Sequence, residues 1–385
     1  MTRPVARRLV LAVVSPEIHR HGGTERVVAE QVDRWKESCD IRVYTMDCHE
    51  IDVNGLLIRR TRRPPGPQLF VFVWWMIANS VRRRIDARRL GPPDVTYSAG
   101  VNCLNADVVS VHIVFTRLLD VLKGQPPLIR QRLTLRKLHT AAYWRLVRRL
   151  EQRVFRHTPE LWTASTDHAR DLERRFGRAR GSVAVVPHGV DARDFSPQHR
   201  SRLRAASRVA MGVADEFVLL LFANDVATKG VDIALRAMPL VPPSARLFVV
   251  GSLSCADVTA LDEWATVRSR TTFVPRAPDV LAYYAAADAL IAPSREDVFC
   301  LPALEAVACG LPVVVSARAG AAEFLAGHGG VVVIQPDSGE LAVGVHSVMS
   351  RSGEKEPPPL PLPSWDDAAL LSFGVLRSVA EGRSA

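Results

Sequence analysis

Two carboxylates in the last third of the chain have a spacing that could hold a ligand. Asp297 and Glu305 stand eight positions apart in a mostly apolar stretch. Pro302 is tolerated in the first turn of a helix, and Gly310-Leu311-Pro312 ends that helix before a run of valines. This predicts a strand–loop–helix–turn–strand unit, with Asp297 in the loop and Glu305 in the first helical turn. Both acids, and the free amides between them, would then face a ligand at the carboxyl end of a parallel sheet.

A more ordinary interpretation of Glu305 stays open at this point. A glutamate in a first helical turn complements the helix dipole and caps free amides without binding any ligand.

A pair of glycines follows the first predicted strand. Gly22 and Gly23 precede Thr24, a residue type that caps helices, and an amphipathic stretch follows. Glycines let backbone amides come close to an anion, and the N-terminus of a helix is positive. The pair therefore predicts an anion-binding loop, with a plain capped turn as the alternative.

A lysine stands where another helix is expected to begin. Lys229-Gly230 follows an apolar strand and the short loop after it. A lysine at this place is a point charge that can neutralise a departing diphosphate, and the helix terminus adds to it. His112, at the end of a different apolar strand, is a further candidate. For both residues the alternative is an incidental or structural side chain.

Short apolar strands alternate with longer amphipathic segments, which is typical of parallel α/β domains. Turn residues at 188–197 interrupt the pattern, so we place a domain boundary near 197. Two doubly wound units that face each other would hold a ligand in the cleft between their sheet ends. The predicted strands are 9–14, 41–45, 94–98, 108–111, 161–164, 183–187, 217–222, 245–250, 272–274, 289–292, 313–316 and 331–334; in the first half, helices are predicted at about 25–37, 70–90, 130–156 and 166–176.

Composition and charge bound the class of protein. The 385 residues are 48% hydrophobic and 23% charged, which suggests a globular chain of two or three domains. Residues 1–197 hold 34 of the 50 lysines and arginines but 20 of the 40 acidic residues. A basic half favours an anionic partner, such as a membrane surface or an acidic acceptor. The chain has no zinc-ligand spacing, RNA-binding aromatic strand or helix-turn-helix signature, which argues against nucleic acid.

The sequence favours a cytoplasmic protein. The six cysteines form no CxxC pair and are typical of reduced thiols. No run reaches the roughly 18 apolar residues that span a bilayer, so we expect a soluble or peripheral protein. Apolar residues 70–77 precede Arg82-Arg83-Arg84 and Arg88-Arg89. This segment predicts either an interfacial helix on the anionic inner face of a membrane or a core helix with a solvated basic end.

The acidic stretch resembles the signature of the retaining glycosyltransferases of family four, in which two glutamates flank seven residues and a Gly-x-Pro-Val-Val strand follows. Gly22-Gly23 resembles the family's glycine loop, and residues 222–232 resemble its phosphate-binding loop ending in Lys-Gly. Asp297 replaces the first glutamate, while Ala223 and Asn224 replace the usual glycine and arginine. Since asparagine cannot neutralise a phosphate, Arg276 or Arg295 would have to substitute.

The resemblance implies a role for each motif. Asp297 would orient the donor sugar and Glu305 the ribose, while Lys229 would bind the diphosphate. The implied catalytic residues are His112, Lys229 and Asp297; the implied donor-binding residues are Gly22, Gly23, Asn224, Lys229, Arg276, Phe299, Cys300, Leu301 and Glu305.

The resemblance also implies a GT-B fold, that is, two facing Rossmann-like doubly wound domains. Residues 1–197 would form the acceptor-side domain and 198–355 the nucleotide-sugar-binding domain. Residues 356–385 would form a Pro-rich connector and a helix that crosses back to the first domain. The implied activity is transfer of a sugar, with retention, from a nucleotide-diphosphate-sugar to an unidentified glycolipid, polysaccharide or natural product.

Two other functions remain open on sequence grounds. The replacements at 223, 224 and 297 motivate a non-catalytic sugar-nucleotide-binding subunit, and a GT-B epimerase would need no acceptor. No Asp-x-Asp occurs in the chain, so we expect no metal and no other cofactor. Walker, Gly-x-Gly-x-x-Gly and Gly-x-Ser-x-Gly motifs are missing too, which argues against kinases, dehydrogenases and serine hydrolases.

Overall fold

The fold was analysed in a computed structural model, which describes residues 7–123, 135–275, 277, 279–351 and 360–383. Residues 356–359 of the predicted connector, and the four residues before them, lie outside the described residues. Contacts within the chain group it into two compact units. No described helix is both long enough and apolar enough to cross a membrane.

The first unit is built on a parallel sheet of seven strands among its described residues. Its strands run in the order β5-β3-β1-β6-β7-β8-β9, and a separate parallel pair joins β2 to β4. The elements along this part of the chain are β1 (Leu9–Val14), β2 (Glu17–Ile18), α1 (Thr24–Trp35), β3 (Cys39–Thr45), β4 (Asp47–Cys48), β5 (Leu56–Arg60), α2 (Gln68–Leu90), β6 (Val95–Ala99), β7 (Val108–Val111), α3 (Phe115–Lys123), α4 (Leu135–His157), β8 (Glu160–Thr163), α5 (Thr166–Phe176) and β9 (Val183–Val185). Residues 117–123 of α3 group with the second unit.

The central strands of this sheet are buried, but only some of them are apolar throughout. Strands β1 and β7 have the predicted bounds; β1 is apolar along its whole length, as parallel strands buried on both faces favour, whereas β7 includes the buried Ser110. The edge strand β5 was not predicted. Its residues are half-buried or exposed and include Arg59 and Arg60, so it lacks the apolar signal of a central strand.

The second unit contains a parallel sheet of six strands among its described residues, in the order β12-β11-β10-β13-β14-β15. All six of these strands were predicted, within one residue at each end. The elements are α6 (Pro197–Ala210), β10 (Phe217–Ala223), α7 (Val231–Ala237), β11 (Ala245–Gly251), α8 (Trp264–Val267), β12 (Thr271–Pro275), α9 (Val280–Ala286), β13 (Ala289–Ala292), α10 (Leu301–Ala308), β14 (Val313–Ser316), α11 (Ala322–Leu325), β15 (Val331–Ile334) and α12 (Ser338–Ser350).

The contacts divide the chain after Gly189 rather than near residue 197. Val190 already forms a parallel bridge with Ser364, and the Phe195 ring lies edge-on to Tyr284, with 5.6 Å between ring centroids. These contacts attach residues 190–196 to the second unit. The turn residues mark where the regular pattern stops, whereas the packing of Val190 and Phe195 fixes the boundary.

The last helix, α13 (Trp365–Arg383), belongs to the first unit. It packs on α1, and the Trp35 indole N–H donates to the Ala369 carbonyl across 3.2 Å. Leu376 of α13 is completely buried in the core beneath α1. The return of the terminal helix to the first domain, which the resemblance implied, is therefore confirmed.

Candidate functional site

The Lys229 loop lies at the carboxyl end of β10, a buried central strand. Gly230 has a positive φ of 69°, and a Cβ built there would come within 2.2 Å of the Pro293 carbonyl oxygen. Only glycine therefore lets this loop lie against the segment that follows β13. The preceding lysine is thereby directed to that segment, and its Nζ lies 2.5 Å from Asp297 Oδ2.

The ion pair keeps Lys229 charged. Burial alone would lower the pKa of Lys229, but the surrounding negative groups, led by the Asp297 carboxylate, together outweigh burial, and the pKa of Lys229 is raised. Both side chains are partly shielded from solvent, with 27% of Lys229 and 11% of Asp297 exposed. The pair thus places a fixed cation and a fixed anion in a semi-enclosed setting.

Arg295 joins the Lys229 loop, which follows β10, to the loop that follows β13. Its backbone N–H donates to the Thr228 carbonyl (2.8 Å), and its guanidinium donates to Ala227 O (2.8 Å). The same guanidinium forms a buried two-point ion pair with Asp232, at 2.7 and 2.6 Å. Arg295 is therefore committed to Asp232, and the expectation that it substitutes for a phosphate-binding arginine is wrong. The other proposed substitute, Arg276, lies outside the described residues.

Glu296 is also held by a buried ion pair. Its carboxylate accepts a hydrogen bond from Arg117 Nε at 2.7 Å, and the side chains are 7% and 9% exposed. The contacts group Arg117 with the second unit. With Arg295 and Glu296 both paired, Asp297 is the member of this acidic stretch that reaches Lys229.

The backbone between the two acids makes a strained turn. Cys300, the residue before α10, has a φ of 75°, in the left-handed region that disfavours side chains. The Phe299 amide donates to Asp297 Oδ1 across 3.3 Å, and the Phe299 carbonyl accepts from Ala321. Leu301 is the first residue of α10, so its amide has no acceptor within the helix.

Glu305 is the fifth residue of α10 and so lies in the second turn, not in the predicted first turn. Its carboxylate is almost fully buried and accepts a hydrogen bond of 2.6 Å from the Tyr284 hydroxyl. A cap or a simple partner of the helix dipole would lie in the first turn, so that interpretation fails. The sequence did not identify Tyr284, on α9. A single tyrosine in an apolar helix gives no indication that its hydroxyl will contact Glu305, which lies on another helix.

A small cavity brings together residues from the lysine loop and the acidic stretch. Lys229, Asp297 and Cys300 line it together with Phe222, whose ring centroid lies 5.0 Å from that of Tyr284. Asn224 is exposed and, like Glu305, is not part of this lining. The remaining lining residues are Leu221, Leu290, Ile291, Ala292, Ser294 and Pro302.

In the first unit, the glycine loop has the strained backbone that a tight anion loop requires. Gly22 has a φ of 95°, and Gly23 is the N-cap of α1. Thr24 is the first helical residue, so the predicted threonine cap is wrong and no side chain caps this helix end. The Glu25 carboxylate lies beside the loop, 2.7 Å from where a Cβ on Gly22 would be, and burial raises its pKa.

His112 directly follows β7 and is half-buried. Its Nε2 lies 2.9 Å from Ser110 Oγ, which in turn lies 2.7 Å from the Tyr97 hydroxyl. Burial lowers the pKa of His112 to about 4, so the imidazole is neutral near pH 7. The His188 ring lies 5.4 Å from it and stacks on Trp365.

Among the described residues, no group of three or more histidine, cysteine or acidic side chains is arranged to hold a metal ion.

Two family models match consecutive parts of this chain. Residues 21–194 match "Glycosyltransferase Family 4", and residues 216–351 match "Glycosyl transferases group 1". Together the two models span most of the chain; the first lies mainly in the first unit and the second lies within the second unit.

Individual proteins similar to this chain are also glycosyltransferases. D-inositol 3-phosphate glycosyltransferase of Xylanimonas cellulosilytica is 29% identical over 263 residues, which cover 61% of this chain and 60% of that protein. The matched region thus spans less than two thirds of that relative. The crystal structure of WaaG, a glycosyltransferase of lipopolysaccharide biosynthesis, superposes with a TM-score of 0.70 at 22% identity and covers 97% of this chain and 98% of that one.

A structure of HepE from Anabaena in complex with UDP-glucose superposes with a TM-score of 0.65 at 18% identity, and covers 98% of this chain and 99% of that one. At these identities the structural similarity concerns the fold. The fold is that of the GT-B glycosyltransferases, and the chain belongs to the glycosyltransferases of group 1, family four.

Proposed function

We propose that this protein transfers a sugar from a nucleotide-diphosphate-sugar to an acceptor hydroxyl, with retention of the anomeric configuration. The observation that carries this proposal is the Lys229–Asp297 pair at 2.5 Å. It joins the two family motifs at the carboxyl end of one parallel sheet, which is where such sheets bind ligands. The inositol phosphate relative and WaaG are named as glycosyltransferases, which supports the reaction class.

The donor is proposed to bind chiefly to the second unit. Lys229, with the Leu301 amide and the start of α10, neutralises the diphosphate. Asp297 orients the sugar, and Glu305, held by Tyr284, accepts hydrogen bonds from the ribose hydroxyls. UDP-glucose in the HepE structure supports a nucleotide-diphosphate-sugar as the class of donor.

We also propose that His112 contacts the donor sugar and that the Gly22–Gly23 loop contacts a donor phosphate, as the family resemblance implies. With its low pKa, His112 acts as a neutral hydrogen-bonding group rather than as a cation. A neutral imidazole suits a sugar hydroxyl, since it can donate from one nitrogen and accept at the other.

The chemical step breaks the bond between the anomeric carbon and the diphosphate oxygen. The acceptor oxygen bonds to the anomeric carbon on the same face, and its proton passes to the departing diphosphate. The transition state is oxocarbenium-like, and the protein stabilises the anionic leaving group by a preorganised charge. We name no covalent nucleophile.

The first test uses the purified protein with a panel of sugar nucleotides, with and without candidate acceptors. A transferase releases nucleoside diphosphate in an acceptor-dependent manner. An epimerase changes the sugar with no acceptor, and a binding subunit binds donor without turnover. Either of the last two outcomes contradicts the proposal.

Lys229→Ala tests the proposed charge on the diphosphate. We expect kcat/KM to fall by about 10²–10³ because one charge-stabilising contact is lost from the transition state. Lys123→Ala is the matched control, since Lys123 is two-thirds exposed and pairs only loosely with Asp120 at 3.5 Å. If the two variants have equal activity, Lys229 has no role in the reaction.

We also propose that turnover needs no divalent metal and occurs in the cytoplasm. Lys229 and helix-end amides supply the positive charge that a metal would otherwise supply at a diphosphate. Activity should survive an excess of EDTA. Loss of activity that manganese or magnesium restores would overturn this part of the proposal.

A further inference from the structure

The solvent side of α2 carries an apolar stripe. Phe70, Trp74 and Ile77 are 53%, 42% and 58% exposed, and the stripe continues through Val81 and Ile85. These residues recur every three or four positions, so they share one face of the helix. A helix that met only water would have polar residues on this face.

The opposite face of α2 already provides the contact with the core. Val71, Trp75 and Asn79 are buried, and the helix packs on α4 and β3. The helix therefore does have a core face, as one of the two sequence interpretations required. That interpretation leaves the exposed apolar stripe unexplained.

The exposed charges that α2 and α4 carry are positive. The one acid of α2, Asp86, is buried and paired with Arg59, and the one acid of α4, Glu151, is buried and bonded to Thr116. No acid on either helix is thus available to balance the cations. Among the side chains of these helices that the structure describes, the exposed arginines are Arg82, Arg84, Arg88, Arg89, Arg145, Arg148, Arg149, Arg153 and Arg156.

Arg84 and Arg88 lie on the same face of α2 as the stripe, three and seven residues beyond Val81. An anionic surface that accepts both apolar and guanidinium groups fits this arrangement. Apolar side chains enter the boundary between headgroups and acyl chains, and arginines bind lipid phosphates. A second copy of the chain would instead bring two cationic faces together, which costs free energy.

We propose that α2 docks this protein, lying flat, on an anionic phospholipid membrane, with Phe70, Trp74 and Ile77 inserted and α4 adding positive charge. This inference is independent of the proposed transfer reaction, because it rests on the surface of the first unit alone. It commits to a lipid surface as the occupant of the stripe.

Vesicle sedimentation of the full chain tests the proposal. The protein should pellet with phosphatidylcholine vesicles that contain about 30% phosphatidylglycerol, and much less with pure phosphatidylcholine, and salt should weaken the binding. Ile77→Gln should weaken it by about tenfold. Arg84→Gln with Arg88→Gln should weaken it by about 25-fold, about fivefold for each arginine.

Matched controls distinguish binding through the stripe from non-specific adsorption of the protein to vesicles. Val343→Gln removes an exposed apolar side chain of α12 in the second unit (70% exposed), and it should leave vesicle binding unchanged. Thermal unfolding of every variant checks that it is folded. Brominated lipid should quench wild-type tryptophan emission, and Trp74→Phe should lose most of that quenching.

Three outcomes would overturn the proposal. One is wild-type protein that does not bind anionic vesicles. Another is vesicle binding and quenching that are unaffected by the Ile77 and Trp74 changes. The third is a dimer in sedimentation velocity that Ile77→Gln dissociates while vesicle binding is absent, which would assign the stripe to a second copy.

Discussion

Lys229 and Asp297 form an ion pair, with 2.5 Å between Nζ and Oδ2, so each charged group has a partner of opposite charge. A donor diphosphate bound by Lys229 would have to share the ammonium with Asp297 or displace it. Sharing is feasible because an ammonium has three hydrogen-bond donors. The pair therefore keeps Lys229 cationic and directed to the site before any ligand arrives, which lowers the cost of organising the site.

The two acids should differ in a titration with free nucleoside diphosphate. Glu305→Gln should weaken the affinity by about 1.5–3 kcal/mol, because the proposed ribose hydrogen bonds are made to a charged group. Asp297→Asn should leave that affinity nearly intact while kcat drops, since Asp297 is proposed to face the sugar. Calorimetry measures both. If Asp297→Asn loses nucleotide affinity and Glu305→Gln does not, the two assignments are reversed.

Tyr284→Phe extends this titration to the residue that positions Glu305. The hydroxyl donates to Glu305 across 2.6 Å in a buried setting. Its loss should weaken nucleoside diphosphate binding by about 1 kcal/mol. Tyr283→Phe is the neighbouring control, since Tyr283 is only partly buried. Equal affinities for the two variants would show that Tyr284 does not position the acid.

His112 should make stability depend on pH. Burial lowers its folded pKa from 6.5 to about 4, so between these values the unfolded chain binds a proton that the folded chain does not. The free energy of unfolding therefore falls as pH falls through this window. His112→Asn should flatten part of the decline in urea unfolding, although His188, whose pKa is also lowered, keeps the rest. An unaltered slope in His112→Asn would contradict the argument.

At the scale of elements, the site depends on how the loops after β10 and β13 are fastened. Arg295 reaches back from one loop to carbonyls of the other, and it pairs with Asp232 in the first turn of α7. Gly230 permits the close approach that this requires. The placement of Lys229 is thus a consequence of loop-to-loop packing and not of the lysine's own local sequence.

Arg295→Met should destabilise the second unit strongly. It would leave the Asp232 carboxylate buried without its main partner, which typically costs about 3–5 kcal/mol. Arg236, 3.4 Å from Asp232, should keep the loss at the low end of that range. Arg246→Met is the matched control, because its pair with Glu216 is more exposed and worth about 0–1 kcal/mol. Equal loss in urea unfolding of the two variants would contradict the argument.

At the scale of the whole molecule, the two ends of the sequence meet in one unit. The chain builds the first unit, then the second, and finally adds α13 to the core of the first. The first unit is therefore incomplete until the last residues of the chain are in place. Its stability should respond to core changes in α13 as strongly as to changes in its own sheet.

Leu376→Ala tests this dependence. The side chain is completely buried, so we expect a loss of about 2–5 kcal/mol in the free energy of unfolding. Leu370→Ala on the same helix is the control, since Leu370 is 73% exposed and should change stability by less than about 0.5 kcal/mol. Tryptophan fluorescence is the suitable probe, because six of the seven tryptophans lie in the first unit. A loss of similar size in both variants would mean that α13 does not complete this core.

The sequence by itself determined the alternation of strands and helices, the parallel α/β class and the family. Buried parallel strands favour largely apolar runs, and the sharp turn at Gly230 needs glycine. Both preferences are local, so the local sequence reveals them. The motif spacing also located Asp297, Glu305 and Lys229 along the chain.

Only the tertiary structure decided the partners of these residues. The Glu305–Tyr284 bond, the commitment of Arg295 to Asp232 and the boundary at Gly189 depend on side chains that are distant in sequence and meet only on packing. The exposed apolar face of α2 is also a feature that only the tertiary structure decided. An apolar run predicts that a helix buries something, but which of its faces the rest of the unit covers is decided by the packing of α4 and β3 against it.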